Sequence, residues 1–244
     1  MALFTDGPIS SIEDLLDHDT QLVEVAKVEG IDVTRKLALA QEEISIELVG
    51  LLDGVRRLRT LSEVVVTPPL KLWHTLRALE MVYRDAFHSQ LNDRYSSRRD
   101  EYRGMANWAR EKVMQSGLGM VTDPIPEAEM PELAATSGNL ADGTYYVAMS
   151  WSNERGEEGA CSHPAKISTA GSSIAVSHGA TPGGVSGWNV YLGSTPGRLI
   201  RQNDAALAVG VGWTAPGARL NGMPAGTGQA PGYTLELARV IARG

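Results

Sequence analysis

The hydrophobic residues of this chain change period partway along it. Up to about residue 117 they recur every three or four positions, the spacing that gathers apolar side chains on one face of a helix. Beyond about residue 132 they alternate, as in a half-buried strand. Glycine divides the same way: 7 of the 26 glycines precede residue 128 and 19 follow it. Halves built this differently are not one repeated unit. The pattern predicts an α+β chain with separate domains, an N-terminal all-α helical bundle followed by an all-β sandwich.

The helical half carries its own start and stop signals. Ser10 stands three residues before Glu13 and Ser11 three before Asp14, either of which makes a capping box ahead of Ile12, Leu15 and Leu16. A second short helix starts at Asp19 or Thr20, carries Leu22, Val25 and Ala26, and ends at Gly30. Asp32 then caps a longer helix with the stripe Val33, Leu37, Ala40, Ile44, Leu48 and Leu51, stopped by Gly54. Val64, Val65 and Val66 favour an extended link or short strand. After Thr67, Pro68 and Pro69 comes the stripe Leu70, Trp73, Leu76, Tyr83, Phe87 and Leu91. A last helix runs from about Asn92 to Ser116, with Tyr95, Tyr102, Met105, Ala109 and Val113 inward and Gly117 as its cap.

Residues 118–132 hold three prolines and four acidic residues and read as an extended linker. Strands follow at 144–151, 165–168, 173–177, 187–193, 199–203 and 212–215, the first opened by the turn Asp142-Gly143. Their short, regular spacing predicts an antiparallel sandwich over 133–230, with Trp151, Trp188 and Trp213 as packing residues. Residues 231–244 form an apolar tail with Tyr233, Leu235, Leu237, Val240 and Ile241, which docks either on its own sandwich or on a partner.

Charge is polarised within the helical half. Residues 1–49 hold 3 Lys/Arg against 11 Asp/Glu, and residues 50–120 hold 12 against 8. Two readings stand. The run Arg94, Arg98, Arg99, Arg103 and Arg110 is a solvated face with local pairs, Arg99 near Asp100 and Glu101. Alternatively, acidic residues such as Asp14, Asp17, Glu42 and Glu43 on one copy meet Arg94, Arg98, Arg99 and Arg103 on the next, as a head-to-tail ring requires.

Chemistry is sparse. The net charge of −7 argues against a nucleic-acid coat. The single cysteine, Cys161, excludes an internal disulfide framework and a cysteine-rich zinc site. No apolar run approaches the roughly 20 residues that span a membrane, and the acidic N-terminus is unlike a secretory signal. His74 and His88 share a predicted helix about 21 Å apart, too far to share a metal. Cys161 has only His163 nearby as a basic partner, and the glycine-rich stretches 179–187 and 222–232 lack the strand–loop–helix setting of a phosphate cradle. No catalytic residue, metal or cofactor is expected.

Two stretches carry a resemblance. SSIEDLLDHDTQLVEVAKVEGIDVTRKLALAQEEISIELVGLL and TPPLKLWHTLRALEMVYRDAFHSQLNDRYSSRRDEYRGMANWAREKVMQSGLGMVTDPIP, over residues 9–126, resemble the head–tail connector proteins of tailed bacteriophages. DGTYYVAMSWSNERGEEGACS and GWNVYLGSTPG resemble a late strand pair and a middle strand of fibronectin-III or immunoglobulin-like modules, here in reversed order. The resemblance implies a non-enzymatic virion protein whose residues 1–117 form the connector domain. Its partners would be further copies in a ring, commonly twelve, then the portal protein and a tail or stopper protein, with packaged DNA passing close by. Its place would be the virion neck, and the host cytoplasm during assembly, with no membrane partner. The tail from Tyr233 would dock on the portal. The competing reading is another neck or tail protein whose sandwich binds a host-surface glycan.

Overall fold

The computed structural model describes residues 1–53, 59–90, 93–219 and 221–237. A helical region spans residues 12–116 and a β-rich region spans 118–235. The expected stop at Gly54, Leu91, Asn92, Val240 and Ile241 lie outside the described residues.

The helices are α1 (Ile12–Leu16), α2 (Leu22–Glu29), α3 (Val33–Asp53), α4 (Pro68–Gln90) and α5 (Ser96–Ser116). Ser11 and Asp14 make the full capping box of α1. Gly30 ends α2 in the left-handed region at φ 67°, where a side chain is unfavourable. The Arg35 N–H donates to Asp32 Oδ1 (3.0 Å), which caps α3. Leu15, Leu22, Ile44, Leu48, Leu70, Leu76 and Leu79 are buried between the helices. Two inward assignments shift by one residue. Leu52, not Leu51, is buried on α3, and Ala106, not Met105, on α5. Each stripe takes a four-residue step where three was expected, and a small alanine allows the closer approach to α4.

Residues 118–132 are not wholly a linker. Leu118–Met120 form strand β1, bonded on both edges. On one side the Val65 N–H donates to the Gly119 carbonyl and the Val121 N–H to the Glu63 carbonyl, both 2.9 Å. On the other lies Tyr233–Leu235, the last strand of the chain, antiparallel with Leu118 opposite Leu235 and Met120 opposite Tyr233. Within the chain, therefore, residues 233–235 of the tail do not dock on the sandwich, the intramolecular outcome expected for it. They dock on a strand that follows α5.

Between these lie β2 (Glu132–Thr136), β3 (Gly143–Ser152), β4 (Ala165–Thr169), β5 (Ser173–Ser177), β6 (Gly187–Gly193), β7 (Ile200–Arg201), β8 (Leu207–Ala208) and β9 (Trp213–Thr214), which makes the tail strand β10. They form two sheets, β2-β5-β9 and β4-β3-β6-β7, with β8 also on β6. Val147, Met149 and Trp151 of β3, Trp188, Val190 and Leu192 of β6, and Ile174 and Val176 of β5 share one core. The opposite face of the larger sheet is covered as well: Ala148, Tyr191 and Leu199 pack there. This double cover is why β3 is buried continuously from Val147 to Ser152 instead of alternating.

By contact the chain forms two compact units whose boundaries differ from the expected ones. Residues 1–6 belong with 122–230, and residues from Pro231 on belong with 7–121. Composition hides the first exchange, because Leu3 and Phe4 are ordinary apolar residues ahead of a helix. In the structure both are buried, the Met1 ammonium donates to the Gly228 carbonyl (2.7 Å), and Asp6 accepts from the Glu127 (2.9 Å) and Leu3 (2.7 Å) N–H groups. Phe4→Ala is expected to lower stability by about 3 kcal/mol through the cavity it leaves. Hydrogen exchange in β6 should accelerate with it. Unchanged protection of β6 would show that the N-terminal segment contributes nothing to this unit.

Candidate functional site

The residues singled out for their charge are mostly engaged within the chain. Asp14 receives the Lys71 ammonium at 2.7 Å. Partial burial opposes its ionisation, but Lys71 and the Ser11 bonds outweigh it and hold its carboxyl below the usual range. Glu42 pairs with Arg35 (3.2 Å) and Glu43 with Arg77 (2.7 Å). Arg99 and Arg103 both reach Asp100 at 3.0 Å, and Arg99 also lies 4.3 Å over the Phe87 ring. Arg94 lies 5.5 Å over the Tyr95 ring. Asp17 is exposed at the end of α1. These residues do not converge on one patch; they tie neighbouring turns and helices, as Glu47 of α3 and Arg110 of α5 also do.

Arg98 leads instead to a buried group that sequence reasoning missed. Its guanidinium lies 3.5 Å from Asp19, which is 4% exposed. The Asp19 carboxylate accepts from the Tyr83 hydroxyl (2.5 Å), the Tyr102 hydroxyl (3.1 Å) and the Gln21 N–H (3.0 Å). The two phenol rings stack with centroids 5.4 Å apart. Burial and the Asp19 charge push the Tyr102 hydroxyl up to about 12 and Tyr83 further in the same direction. One carboxylate from the α1–α2 turn thus clasps α4 to α5. The sequence carries a signal for it: two tyrosines on inward stripes each need a buried acceptor, while Asp19 reads locally as a helix start.

His74 is also buried. Its Nε2 lies 3.0 Å from the Leu37 carbonyl and its Nδ1 3.0 Å from Ser10 Oγ. A carbonyl only accepts, so Nε2 carries the hydrogen, and in the neutral ring that burial favours Nδ1 accepts from the Ser10 hydroxyl. The same network includes Thr75. Burial lowers the His74 pKa against the opposing Leu37 bond and the charge of Asp14. His88 and His163 are exposed, and among the described residues no three His, Cys, Asp or Glu gather as a metal site.

In the β-rich unit, the hydroxyls of Ser150 and Tyr191 both donate to Glu158 on the outer face of the larger sheet. Cys161 sits in the same group. Burial and the Glu158 charge push its thiol up to about 12, so the thiolate needed by a nucleophile is not formed. Trp151 and Trp188 are buried in the core, and Trp213 is partly buried against it. Trp213 also lines a shallow concavity across β2, β5 and β9 with Glu132, Ala134, Ala175 and Thr214.

Among its charged surface residues the helical unit also exposes large apolar side chains. Val28 is 65% exposed, Ile46 74% and Trp108 52%, with Val23, Val49 and Met105 also exposed. Lys112 extends along Trp108, 5.8 Å from its ring centroid. These side chains are spread over α2, α3 and α5. Of the predicted docking tail, Tyr233 and Leu235 lie in β10 and Leu237 is buried.

Two outcomes follow for the buried groups. Asp19→Ala leaves two phenol hydroxyls without their acceptor and should destabilise the chain by about 3 kcal/mol, against about 1 for Tyr83→Phe. Equal losses in chemical denaturation would show the clasp to be unimportant. For His74, the unfolded imidazole protonates near pH 6.5 and the folded one resists. The unfolded state then binds more protons, so stability is full above that pH and falls as pH drops below it. Between pH 7 and 5 the wild-type chain should lose stability faster than His74→Gln, by up to about 1.4 kcal/mol per pH unit. Parallel pH profiles would contradict this.

No protein-family model, curated protein or solved structure matches this chain.

Proposed function

We propose that the chain is a structural virion protein, a head–tail connector adaptor. Its copies form a ring, commonly twelve, that joins the portal vertex to a tail or stopper protein in the virion neck, after assembly in the host cytoplasm. The β-rich unit is read as an immunoglobulin- or fibronectin-III-like sandwich projecting from that ring, and the tail from Tyr233 as the segment that meets the portal. The observation that carries this reading is the set of exposed apolar side chains on the helical unit, above all Trp108 and Ile46. A partly exposed tryptophan beside a lysine stem is the kind of residue on which contact energy concentrates. The ion pairs closed within the chain shift the basis of association. Copies would meet through apolar helix faces, and the acidic and basic residues would set orientation more than affinity. Many weak contacts closing a ring give a stable whole by avidity. Among the described residues no helix is long and apolar enough to cross a membrane.

A second reading keeps some support. The concavity lined by Trp213 is open and shallow, the shape on which a sugar ring stacks, so a neck or tail protein that binds a host glycan is the alternative.

The test is the position and copy number of the chain in an electron-microscopy map of the particle, with sedimentation of the purified protein. A closed ring, alone or on the portal, is expected. Trp108→Glu should weaken self-association by roughly 30-fold or more. Failure to bind portal, together with heads and tails that join without this chain, would end the connector reading. Saturable binding on a glycan array, lost in Trp213→Ala, would favour the alternative.

A further inference from the structure

The two edges of β1 are not alike. One faces Glu63–Val65, which lie before α4 in the same stretch of chain, and the other faces a strand that arrives from the far end of the sequence. The second edge is cut to fit that strand. A Cβ on Gly117 would stand 2.6 Å from the Leu235 carbonyl oxygen and 2.7 Å from the Thr234 methyl. A Cβ on Gly119 would stand 2.9 Å from the Pro231 ring and 2.7 Å from the Thr67 methyl. These two glycines leave room for the close approach of Pro231, Thr234 and Leu235, and Gly119 also for Thr67. The Gly232 N–H donates to the Met120 carbonyl (2.9 Å), which continues the fit beyond the ladder.

The strand's tether is short. Gln229 is 3% exposed and fixed in the β-rich unit: its Oε1 accepts from the Ile125 N–H (2.8 Å) and its Nε2 donates to the Asp123 carbonyl (3.0 Å). Pro231 already lies against Gly119 and Gly232 is already bonded to Met120, so Ala230 alone separates the two anchors. A three-residue ladder is among the first elements to open. A short hinge between two fixed ends favours exchange of the hinged segment between copies over its closure within one.

We propose that the β1 edge is a strand-acceptor slot, and that residues 231–237 of a second copy fill it in place of the chain's own. The identical sequence gives the incoming strand the same fit to Gly117 and Gly119, and the contact is the one already present within a single chain, made between two. Extended, residues 230–237 reach at most roughly 27 Å from Gln229, which sets how near the accepting copy must lie. The inference goes beyond the connector reading and does not rest on it. It needs only a second copy, and where both hold, the portal contact falls to the residues after Leu237.

Complementation of two full-length variants tests it. Leu235→Asp with Leu237→Asp gives a chain whose tail cannot dock and whose slot is open. Gly119→Val gives a chain whose slot is closed and whose tail is free. Each should be monomeric by light scattering when alone, and their mixture should give a 1:1 complex. Six Gly/Ser residues inserted between Ala230 and Pro231 of a wild-type chain should lower its self-exchange several-fold by easing closure within the copy. If Gly119→Val does not fold, a fluorescent peptide of residues 231–244 serves as donor. It should bind the open-slot chain saturably, at least tenfold tighter than the same peptide with Leu235→Asp. No complex in the mixture and no such peptide preference would overturn the proposal.

Discussion

Three residues, Leu118–Met120, hold the helical unit's non-helical parts together. They follow directly from α5, whose last N–H bonds are completed at Gly117. Their backbone is bonded on one edge to residues 63–65 ahead of α4 and on the other to residues 233–235. Leu118 and Met120 are meanwhile buried. Because a strand's groups must be paired on both sides once buried, removing either neighbour leaves β1 with unsatisfied bonds inside an apolar surround. The start of α4, the end of α5 and the chain's C-terminal segment are therefore stabilised together.

The same arrangement changes what a linker means here. The chain passes from one compact unit to the other after Asp6, after Val121 and after Ala230. A cut at the Val121–Thr122 junction leaves two covalent connections intact, so the units are less independent than their contrasting compositions suggest. Each unit also takes part of its packing from a terminus that belongs by sequence to the other. Leu3 and Phe4 fill space in the β-rich unit, and Leu237 is buried as part of the helical one.

What the sequence revealed and what it hid follow one physical line. Periodicity reports which face of an element is covered, so it found α3, α4, α5 and the long strands β3 and β6. It placed Met105 inward because the spacing from Tyr102 permits either 105 or 106, and only packing against α4 decides in favour of Ala106. Strands of two or three residues, such as β1, β8 and β10, have too few positions to show a period at all. Their existence depends on a partner distant in sequence, and Gly117 and Gly119 read equally well as stops or loop residues until that partner is in place. Asp19 was hidden for a related reason. A carboxylate near a helix start has a sufficient local explanation, and its bonds to Tyr83 and Tyr102 span more than sixty residues.

Charge differs between the level of segments and the level of atoms. Segment charge totals suggested an acidic face and a basic face awaiting each other on neighbouring copies. At the level of atoms, Glu42, Glu43 and Glu47 are met by Arg35, Arg77 and Arg110, and Arg99 and Arg103 by Asp100. An ion pair already made in water gains little by exchanging one partner for another. Exposed Trp108, Ile46 and Val28 have no such alternative, since water is the only other place for them. In the proposed association, covering those apolar groups and completing strand edges would supply the free energy. Charge is left to decide which orientation of the partner is tolerated.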